Sequence, residues 1–187
     1  SLRGSAGYRY SDLGFYFVKK IVEYQSGLTL DKYLETKFYD SLGLHRTLFN
    51  PLEKIPIEDI VPTEKDDYWR NQIVRGTVHD MGAAMMGGVS GHAGLFTTAY
   101  ETAVVMQFLL NGGSYGGKSF LSPATVDLFT RRYNKSSRRG LGFDMKELSP
   151  DRTKSMGDLA SDRTFGHTGF TGTCVWADPE NNLVYVF

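Results

Sequence analysis

The chain has 187 residues with 21 basic and 21 acidic side chains, so its formal net charge is zero. A neutral chain has no net field that recruits nucleic acid or an anionic membrane, and we expect neither partner. Apolar residues make up 41% of the sequence, which is enough for a hydrophobic core. No apolar run approaches the ~20 residues that a membrane-spanning helix needs.

The first two thirds of the chain are predicted to be mainly helical, because capping residues repeatedly precede apolar residues at helical spacing. These helices are predicted to begin near Ser11 or Asp12, Thr29, His79, Thr98 and Ser122. Gly27 and Gly43 stand at the ends of the first two. Thr98 and Glu101 form a capping-box pattern.

A cluster of basic residues follows the last predicted helix. It consists of Arg131, Arg132, Lys135, Arg138 and Arg139. Cations suit the negative end of a helix dipole, so we interpret this cluster as a solvated helix end rather than a binding patch.

The pattern then changes to strands. Strands are predicted over 141–145, from 163–165 onward, over 173–177 and over 183–187. The turn residues of 178–182 join the last two strands as an antiparallel hairpin. Helices followed by an antiparallel sheet predict the α+β class.

Residues 112–119 match the phosphate-loop pattern letter for letter. That loop lies between a strand and a helix, so that helix-terminal amides meet the phosphates. Here a helix is predicted before the match, and the next helix starts only after an intervening segment. We therefore interpret it as a glycine-rich connection between helices and predict no nucleotide cofactor.

The four histidines raise the question of a metal site. His45, His79, His92 and His167 are far apart, and no pair has the i, i+4 spacing of a helix-borne site. His79 and Asp80 could supply one ligand and its supporting carboxylate, but no cluster accompanies them. We predict neither a metal nor another cofactor.

A glycine-rich stretch around one histidine, residues 165–173, draws most attention. Glycine lets a ligand or another backbone approach closely, and the remaining side chains are titratable or hydroxyl-bearing. The alternative is a hairpin edge with glycines at a bulge. A functional role for this stretch is favoured because the sequence also contains Tyr10-Ser11-Asp12, which precedes the first helix. Penicillin-recognising serine acyl-transferases combine Ser-x-x-Lys, Tyr-x-Asn or Ser-x-Asn, and Lys-Thr-Gly elements.

The chain resembles the serine β-lactamase-related family, which includes class C β-lactamases, D-alanyl-D-alanine carboxypeptidases and esterases. The resemblance lies in residues 8–27, 39–47, 91–99, 110–128, 140–143 and 165–187, in the family's order. It implies a β-lactamase/transpeptidase-like fold, with a small-molecule or peptide substrate such as a β-lactam, a muropeptide or an ester. It also implies a periplasmic or otherwise extracytoplasmic location in a bacterium.

The resemblance assigns roles to two residues near the start of the chain. Tyr10 matches the family's tyrosine base, which takes the proton of the nucleophilic serine. Asp12 lies where the family usually has an asparagine that orients the substrate amide. A carboxylate accepts hydrogen bonds but does not donate them, so this difference weakens the case for β-lactam amides.

The resemblance assigns four more residues on the later strand. His167 replaces the strand lysine, as in some esterase-like and peptidase-like members, and Thr168 and Gly169 complete the motif. The backbone N–H of Phe170 corresponds to one oxyanion-hole donor.

The family's Ser-x-x-Lys element does not occur in this sequence, and Ser114 and Lys118 are one residue too far apart. We therefore expect residues 1–187 to be a single partial domain, the middle and C-terminal part of a serine hydrolase whose nucleophile lies upstream. Such a fragment alone is expected to be inactive and to dimerise or aggregate through exposed strand edges. The alternative is a non-catalytic envelope module that binds peptidoglycan fragments.

Overall fold

A computed structural model describes residues 10–134 and 137–187 of the chain, so Lys135 of the basic cluster and residues 8 and 9 of the first resembling stretch lie outside the described residues. The α-helices are α1 (Leu13–Ser26), α2 (Leu30–Leu34), α3 (Asp40–Leu42), α4 (Met81–Met85), α5 (Ala99–Leu110) and α6 (Pro123–Thr130). A helix begins within two residues of each predicted helix start. The part of the chain described here contains no helix long and apolar enough to cross a membrane.

The strands are short. They are β1 (Leu48–Phe49), β2 (Glu64–Asp66), β3 (Gln72–Val74), β4 (Leu95–Phe96), β5 (Ser114–Tyr115), β6 (Lys118–Ser119), β7 (Asp144–Met145), β8 (Phe165–Thr168), β9 (Cys174–Asp178) and β10 (Leu183–Val186). The main sheet has the order β10-β9-β8-β7 and is antiparallel throughout. Helices followed by an antiparallel sheet confirm the predicted α+β class.

The chain divides into two compact units. The first consists of the described part of Ser1–Lys37 together with Leu48–Phe96, and the second of Phe38–Thr47 together with Thr97–Phe187. The single partial domain that the sequence predicts stays a prediction.

In the first unit, α1 begins and ends through local chemistry. The Asp12 side chain does not cap the helix, and the Oγ of Ser11 accepts the Leu13 N–H over 3.3 Å. At the other end Gly27 adopts a φ of 70° and donates its N–H to the Glu23 carbonyl over 2.9 Å. This left-handed conformation is the one that glycine adopts without a steric penalty, so the predicted helix end is confirmed.

The second predicted helix, from Thr29 to about Gly43, is not one regular α-helix. A π-helical turn at Glu35–Tyr39 separates α2 from α3. The hydroxyl of Thr36 donates to the Lys32 carbonyl over 2.8 Å, a contact that often bends helices. Gly43 ends the segment with a φ of 73°, as predicted.

The core of the second unit lies between α5 and the main sheet. Met106 of α5 packs with Met145, Phe165 and Ala177, and all four are buried. Phe143 meets Phe165 edge-on, with ring centroids 5.2 Å apart. The helix covers β9 and β10 and so holds the sheet that carries the glycine-rich stretch.

The capping box predicted at the start of α5 is only half formed. The Oγ1 of Thr98 accepts the Glu101 N–H over 3.2 Å, as expected. The Glu101 carboxylate does not return to Thr98. It is buried and accepts the Arg46 N–H at 2.9 and 3.0 Å and the Thr47 hydroxyl at 2.6 Å. A long-range contact therefore takes the place of the local one.

The phosphate-loop look-alike forms a small hairpin. β5 and β6 pair around Gly116 and Gly117, whose φ values of 56° and 77° are typical of a tight primed turn. α5 precedes this hairpin and α6 begins only at Pro123. The structure thus confirms a glycine-rich connection between helices.

β10 pairs with β9 and has no second neighbour within the part of the sheet that the structure describes. An open strand edge can pair with another chain. The predicted dimerisation stays a prediction.

Candidate active site

The residues assigned by resemblance fall into two groups, one in each unit. Tyr10 and Asp12 lie immediately before α1 in the first unit. His167 and Thr168 end β8 in the second unit, and Gly169 and Phe170 follow in the turn after it. Each group is therefore described within its own unit.

The first group is anchored through the backbone of Asp12. The Asp12 carbonyl accepts the N–H groups of Phe15 and Tyr16, over 2.9 and 3.3 Å, and so begins α1. The side chain of Tyr10, two residues earlier, is exposed. The first turn of α1 therefore fixes the chain direction at both candidate residues.

The second group lies on the β8–β9 hairpin. His167 faces Val175 across the pair, and Thr168 faces Cys174. The turn closes tightly, because the Gly169 N–H donates to the Thr173 carbonyl over 2.7 Å. The hairpin predicted as the plainer interpretation of this stretch is thus present, and it is the element that carries the candidate residues.

Gly166 explains why the strand needs a glycine directly before the histidine. A Cβ at this position would lie 1.9 Å from the Val175 carbonyl oxygen and 2.7 Å from a ring carbon of Trp176. No side chain fits at such distances. The close approach of β8 to β9 therefore depends on this glycine, and it sets the position of His167.

The ring of His167 has a defined protonation pattern. Nδ1 lies 2.7 Å from the Thr168 carbonyl oxygen, and Nε2 lies 2.9 Å from Nη1 of Arg139. A carbonyl only accepts and a guanidinium only donates, so Nδ1 carries the proton and Nε2 accepts. His167 is neutral in this arrangement, and the positive charge belongs to Arg139.

Arg139 is in turn held by a buried carboxylate. Its Nε lies 3.7 Å from Oδ1 of Asp144, a residue that is only 1% exposed, and residues 139 and 144 form an isolated antiparallel bridge. Arg138 also reaches Asp144, with Nε 2.8 Å from the same oxygen. Two guanidinium groups therefore share one buried carboxylate, as buried charges require.

Sequence reasoning missed Arg139 and Asp144. The interpretation of Arg138 and Arg139 as part of a solvated helix end is wrong, because α6 ends at Thr130 and the Arg139 side chain is only 22% exposed. The usable signal was local. Gly140 and Gly142 separate the arginines from an aspartate, a spacing typical of a turn that brings opposite charges together.

Within residues 10–134 and 137–187, no group of three or more His, Cys, Asp and Glu side chains is arranged to hold a metal ion.

Comparison with known proteins gives the family. The sequence model of the Beta-lactamase family matches residues 4–187. The "Putative D-alanyl-D-alanine carboxypeptidase" of Salmonella gallinarum is 41% identical over 189 residues, which cover 95% of this chain and 44% of the relative. The protein of the same name from Salmonella schwarzengrund matches with the same identity and coverage. The chain thus spans less than half the length of these curated relatives.

Solved structures agree on the fold. A β-lactamase from Mycobacterium bovis matches with a TM-score of 0.64 at 22% identity, over 95% of this chain and 54% of that one. A penicillin-binding protein homologue from Caulobacter crescentus also has a TM-score of 0.64, at 21% identity, over 97% and 52% of the two chains. At this identity the likeness concerns the fold, and it confirms the predicted β-lactamase/transpeptidase-like architecture. The match of the family model to residues 4–187 shows that the chain belongs to the Beta-lactamase family.

Proposed function

We propose that this chain is part of a penicillin-recognising serine hydrolase, which transfers an acyl group through a serine acyl-enzyme. Membership of the Beta-lactamase family supports this class of chemistry. The observation that carries the proposal is the His167-Thr168-Gly169 motif at the end of β8, with Nη1 of Arg139 2.9 Å from Nε2 of His167. In this proposal the nucleophile is a serine of a Ser-x-x-Lys element outside residues 1–187, which contain no such element.

In this proposal the upstream serine Oγ attacks the substrate carbonyl carbon. Tyr10 accepts the serine proton as general base and later returns a proton to the leaving group. The negative charge that develops on the carbonyl oxygen is stabilised by the Phe170 N–H. Water then attacks the acyl carbonyl, the bond from that carbon to the serine Oγ breaks, and the acyl group leaves as a carboxylic acid while the serine hydroxyl is regenerated.

The substrate class follows from charge. Arg139 places a guanidinium beside the strand, and a guanidinium donates charge-assisted hydrogen bonds to carboxylates. His167 is neutral there, so it adds no net charge that would attract or repel a substrate. We therefore propose a substrate with a carboxylate close to the scissile bond, as in a peptide that ends in D-alanyl-D-alanine or in a penicillin.

Asp12 favours the peptide substrate over the penicillin. In place of an amide, its carboxylate accepts a hydrogen bond from a substrate N–H and donates none. A peptide substrate offers such N–H groups repeatedly. The name of the Salmonella relatives points in the same direction. A peptide of the bacterial envelope is thus the preferred substrate, and an extracytoplasmic location goes with it.

A second candidate is a non-catalytic module that binds peptidoglycan fragments. The observation in its favour is the pair of departures from the catalytic pattern, Asp12 for asparagine and His167 for lysine. Such a module keeps the Arg139 carboxylate site but forms no covalent intermediate.

Intact mass after incubation with a penicillin separates these candidates. Opening of a β-lactam ring adds the whole penicillin to the protein, because no group leaves on acylation. The chain itself and a longer form extended upstream are compared, with Tyr10→Phe in the longer form as a slow-acylating control. Labelling of the longer form alone is the expected result.

Labelling of this chain at one of its own serines would overturn the upstream nucleophile. If neither form is labelled and a D-alanyl-D-alanine peptide is bound but not cleaved, the binding module is the better description.

A further inference from the structure

A hydrogen-bonded set of three side chains lies in the first unit and includes none of the residues assigned above. Nε2 of His92 lies 2.9 Å from Oδ1 of Asp80, and Nδ1 of the same ring lies 2.9 Å from Oγ of Ser90. We call these residues the Asp80–His92–Ser90 cluster. The proposed function does not use these residues.

The protonation of this cluster follows from its partners. Asp80 also accepts the Ala83 N–H over 2.7 Å and so caps α4. Burial alone would raise the pKa of the Asp80 carboxyl, but the Ala83 N–H and the His92 ring together hold it below its usual range. The ionised carboxylate accepts from Nε2–H, and the Ser90 hydroxyl satisfies Nδ1.

The cluster has the residue types of a serine hydrolase triad, but Ser90 is not an exposed nucleophile. Ser90 is 3% exposed and the His92 side chain 7%. A substrate carbonyl cannot reach a hydroxyl so deeply buried. The cluster therefore acts on what it contacts within the protein.

What it contacts is the first turn of α1. The Tyr16 ring meets the His92 ring edge-on, with centroids 4.8 Å apart. A Cβ on Gly82, just after the Asp80 cap, would lie 2.5 Å from the Tyr16 hydroxyl oxygen. A Cβ on Gly91, between the two partners Ser90 and His92, would lie 2.3 Å from the Phe15 carbonyl oxygen. The cluster and its two glycines thus lie against positions 15 and 16 of the helix.

These two positions hold the start of α1 in place. The N–H groups of Phe15 and Tyr16 both donate to the Asp12 carbonyl. A shift of Tyr16 therefore moves the peptide at Asp12 and the chain that leads back to Tyr10. His92 is connected to the candidate base through one aromatic contact and one helical turn.

We propose that His92 is a positioning residue, which fixes Tyr10 and Asp12 through its contacts with Asp80, Ser90 and Tyr16. The catalytic part of this inference rests on the proposed function, in which Tyr10 is the general base. The structural part, that His92 controls the environment of Tyr10, is independent of any activity.

Two variants separate the contacts of the ring. His92→Gln keeps a donor where Nε2 lies and so retains the bond to Asp80, whereas His92→Asn is too short to reach Asp80 and keeps a polar group near Ser90. Selective ¹³Cζ-tyrosine labelling of this chain, with resonances assigned by Tyr10→Phe and Tyr16→Phe, reports on both tyrosines. We expect the Tyr10 and Tyr16 resonances to move in both variants, because each removes the ring that contacts Tyr16, and to move further in His92→Asn, which also loses the bond to Asp80.

A Tyr16 resonance that moves while Tyr10 stays unchanged would overturn the proposal, because His92 would then have a local structural role only. If His92→Asn does not fold, Ser90→Ala provides the same comparison with a smaller change. Hydrogen exchange of the Phe15 and Tyr16 amides should be about tenfold faster in the variant that moves Tyr10 further. These readouts need no substrate, so a failure of acylation in the longer form would refute the proposed function separately.

In a longer form that acylates, the expected kinetic effect of His92→Asn is a lower acylation rate at saturating penicillin with a nearly unchanged half-saturation concentration. A change in the half-saturation concentration with an unchanged acylation rate would contradict the proposal that His92 positions Tyr10.

Discussion

Arg139 donates a hydrogen bond from Nη1 to Nε2 of His167 over 2.9 Å, while the buried Asp144 holds the other side of the same guanidinium. The imidazole is thereby held in the neutral form in which Nδ1–H donates to the Thr168 carbonyl. The cation at the end of β8 is consequently a guanidinium that belongs to another part of the second unit. Although β8 has a histidine where the family has a lysine, a positive charge therefore still lies beside this strand.

Replacing Arg139 with alanine should weaken reaction with carboxylate-bearing substrates. Loss of a charged hydrogen-bond donor costs about 1.5–3 kcal/mol, which corresponds to roughly a 10- to 100-fold lower acylation efficiency. The measurement is acylation of the longer, upstream-extended form by a penicillin and by an ester that lacks the carboxylate. The ester should lose less than the penicillin.

Arg131→Ala is the matched control, since this arginine lies in the same unit with an exposed side chain near Asp127. It should leave both reactions unchanged. An equal loss with penicillin and ester in Arg139→Ala would contradict recognition of the carboxylate.

Tyr10→Phe removes the proposed base and keeps the ring. General-base catalysis contributes about 10²- to 10⁴-fold, so the acylation rate of the longer form should fall by this factor with little change in substrate affinity. Tyr24→Phe is the control, because Tyr24 is an exposed tyrosine on α1. Retention of full activity by Tyr10→Phe would exclude Tyr10 as the base.

Features that depend on neighbouring residues were predictable from the sequence. Gly27 ends α1, Thr98 and Ser122 cap their helices through side-chain oxygens, and the turn at 178–182 joins β9 to β10. Each of these is decided by a short stretch of chain, where a backbone conformation or an N-terminal amide demands a particular residue type.

Contacts between distant residues could not be predicted in the same way. Glu101 leaves its own capping box because the Arg46 and Thr47 donors, more than 50 positions earlier, meet it in the interior. Arg139 meets His167 only because β7 and β8 pair and bring residue 144 beside Gly166. No local pattern specifies such pairs, and the resemblance to the family pointed to His167 without its partner.

Asp178 predicts a pH dependence of stability. Its buried carboxylate accepts the N–H and hydroxyl of Ser161 at 2.8 and 2.6 Å and the side-chain amide of Asn181 at 2.8 Å. Burial would raise the pKa of Asp178, but these donors outweigh it and hold the pKa far below its usual range. Because the folded-state pKa is depressed, the stabilisation is complete above the unfolded value of about 3.9 and is lost as pH falls below it.

Asp178→Asn should therefore lower the free energy of unfolding by about 1.5–3 kcal/mol at pH 7. The donors that now bond to one carboxylate oxygen would then face the side-chain NH₂ of asparagine, which does not accept hydrogen bonds. Denaturant titrations of wild type and variant between about pH 7 and pH 3 measure this difference, which should shrink below about pH 4. Asp151→Asn, at an exposed carboxylate, should change nothing. A difference that stays constant down to pH 3 would show that the charge of Asp178 is not the cause.

Gly166 provides a test of the hairpin that carries His167. A methyl group at this position would overlap the Val175 carbonyl oxygen, 1.9 Å away, and the Trp176 ring, and the paired backbone of β9 has little freedom to move. Gly166→Ala should therefore destabilise the chain by about 3 kcal/mol or more, and lower its melting temperature by roughly 6–12 °C. Gly157→Ala is the control, because a Cβ there meets no atom within 4 Å, and it should stay within about 0.5 kcal/mol of wild type.

Since separation of β8 from β9 also displaces His167 from Arg139, the His167 ring resonances should shift in Gly166→Ala and not in Gly157→Ala. A Gly166→Ala chain with wild-type melting and unchanged His167 resonances would contradict the close strand pairing on which this candidate site depends.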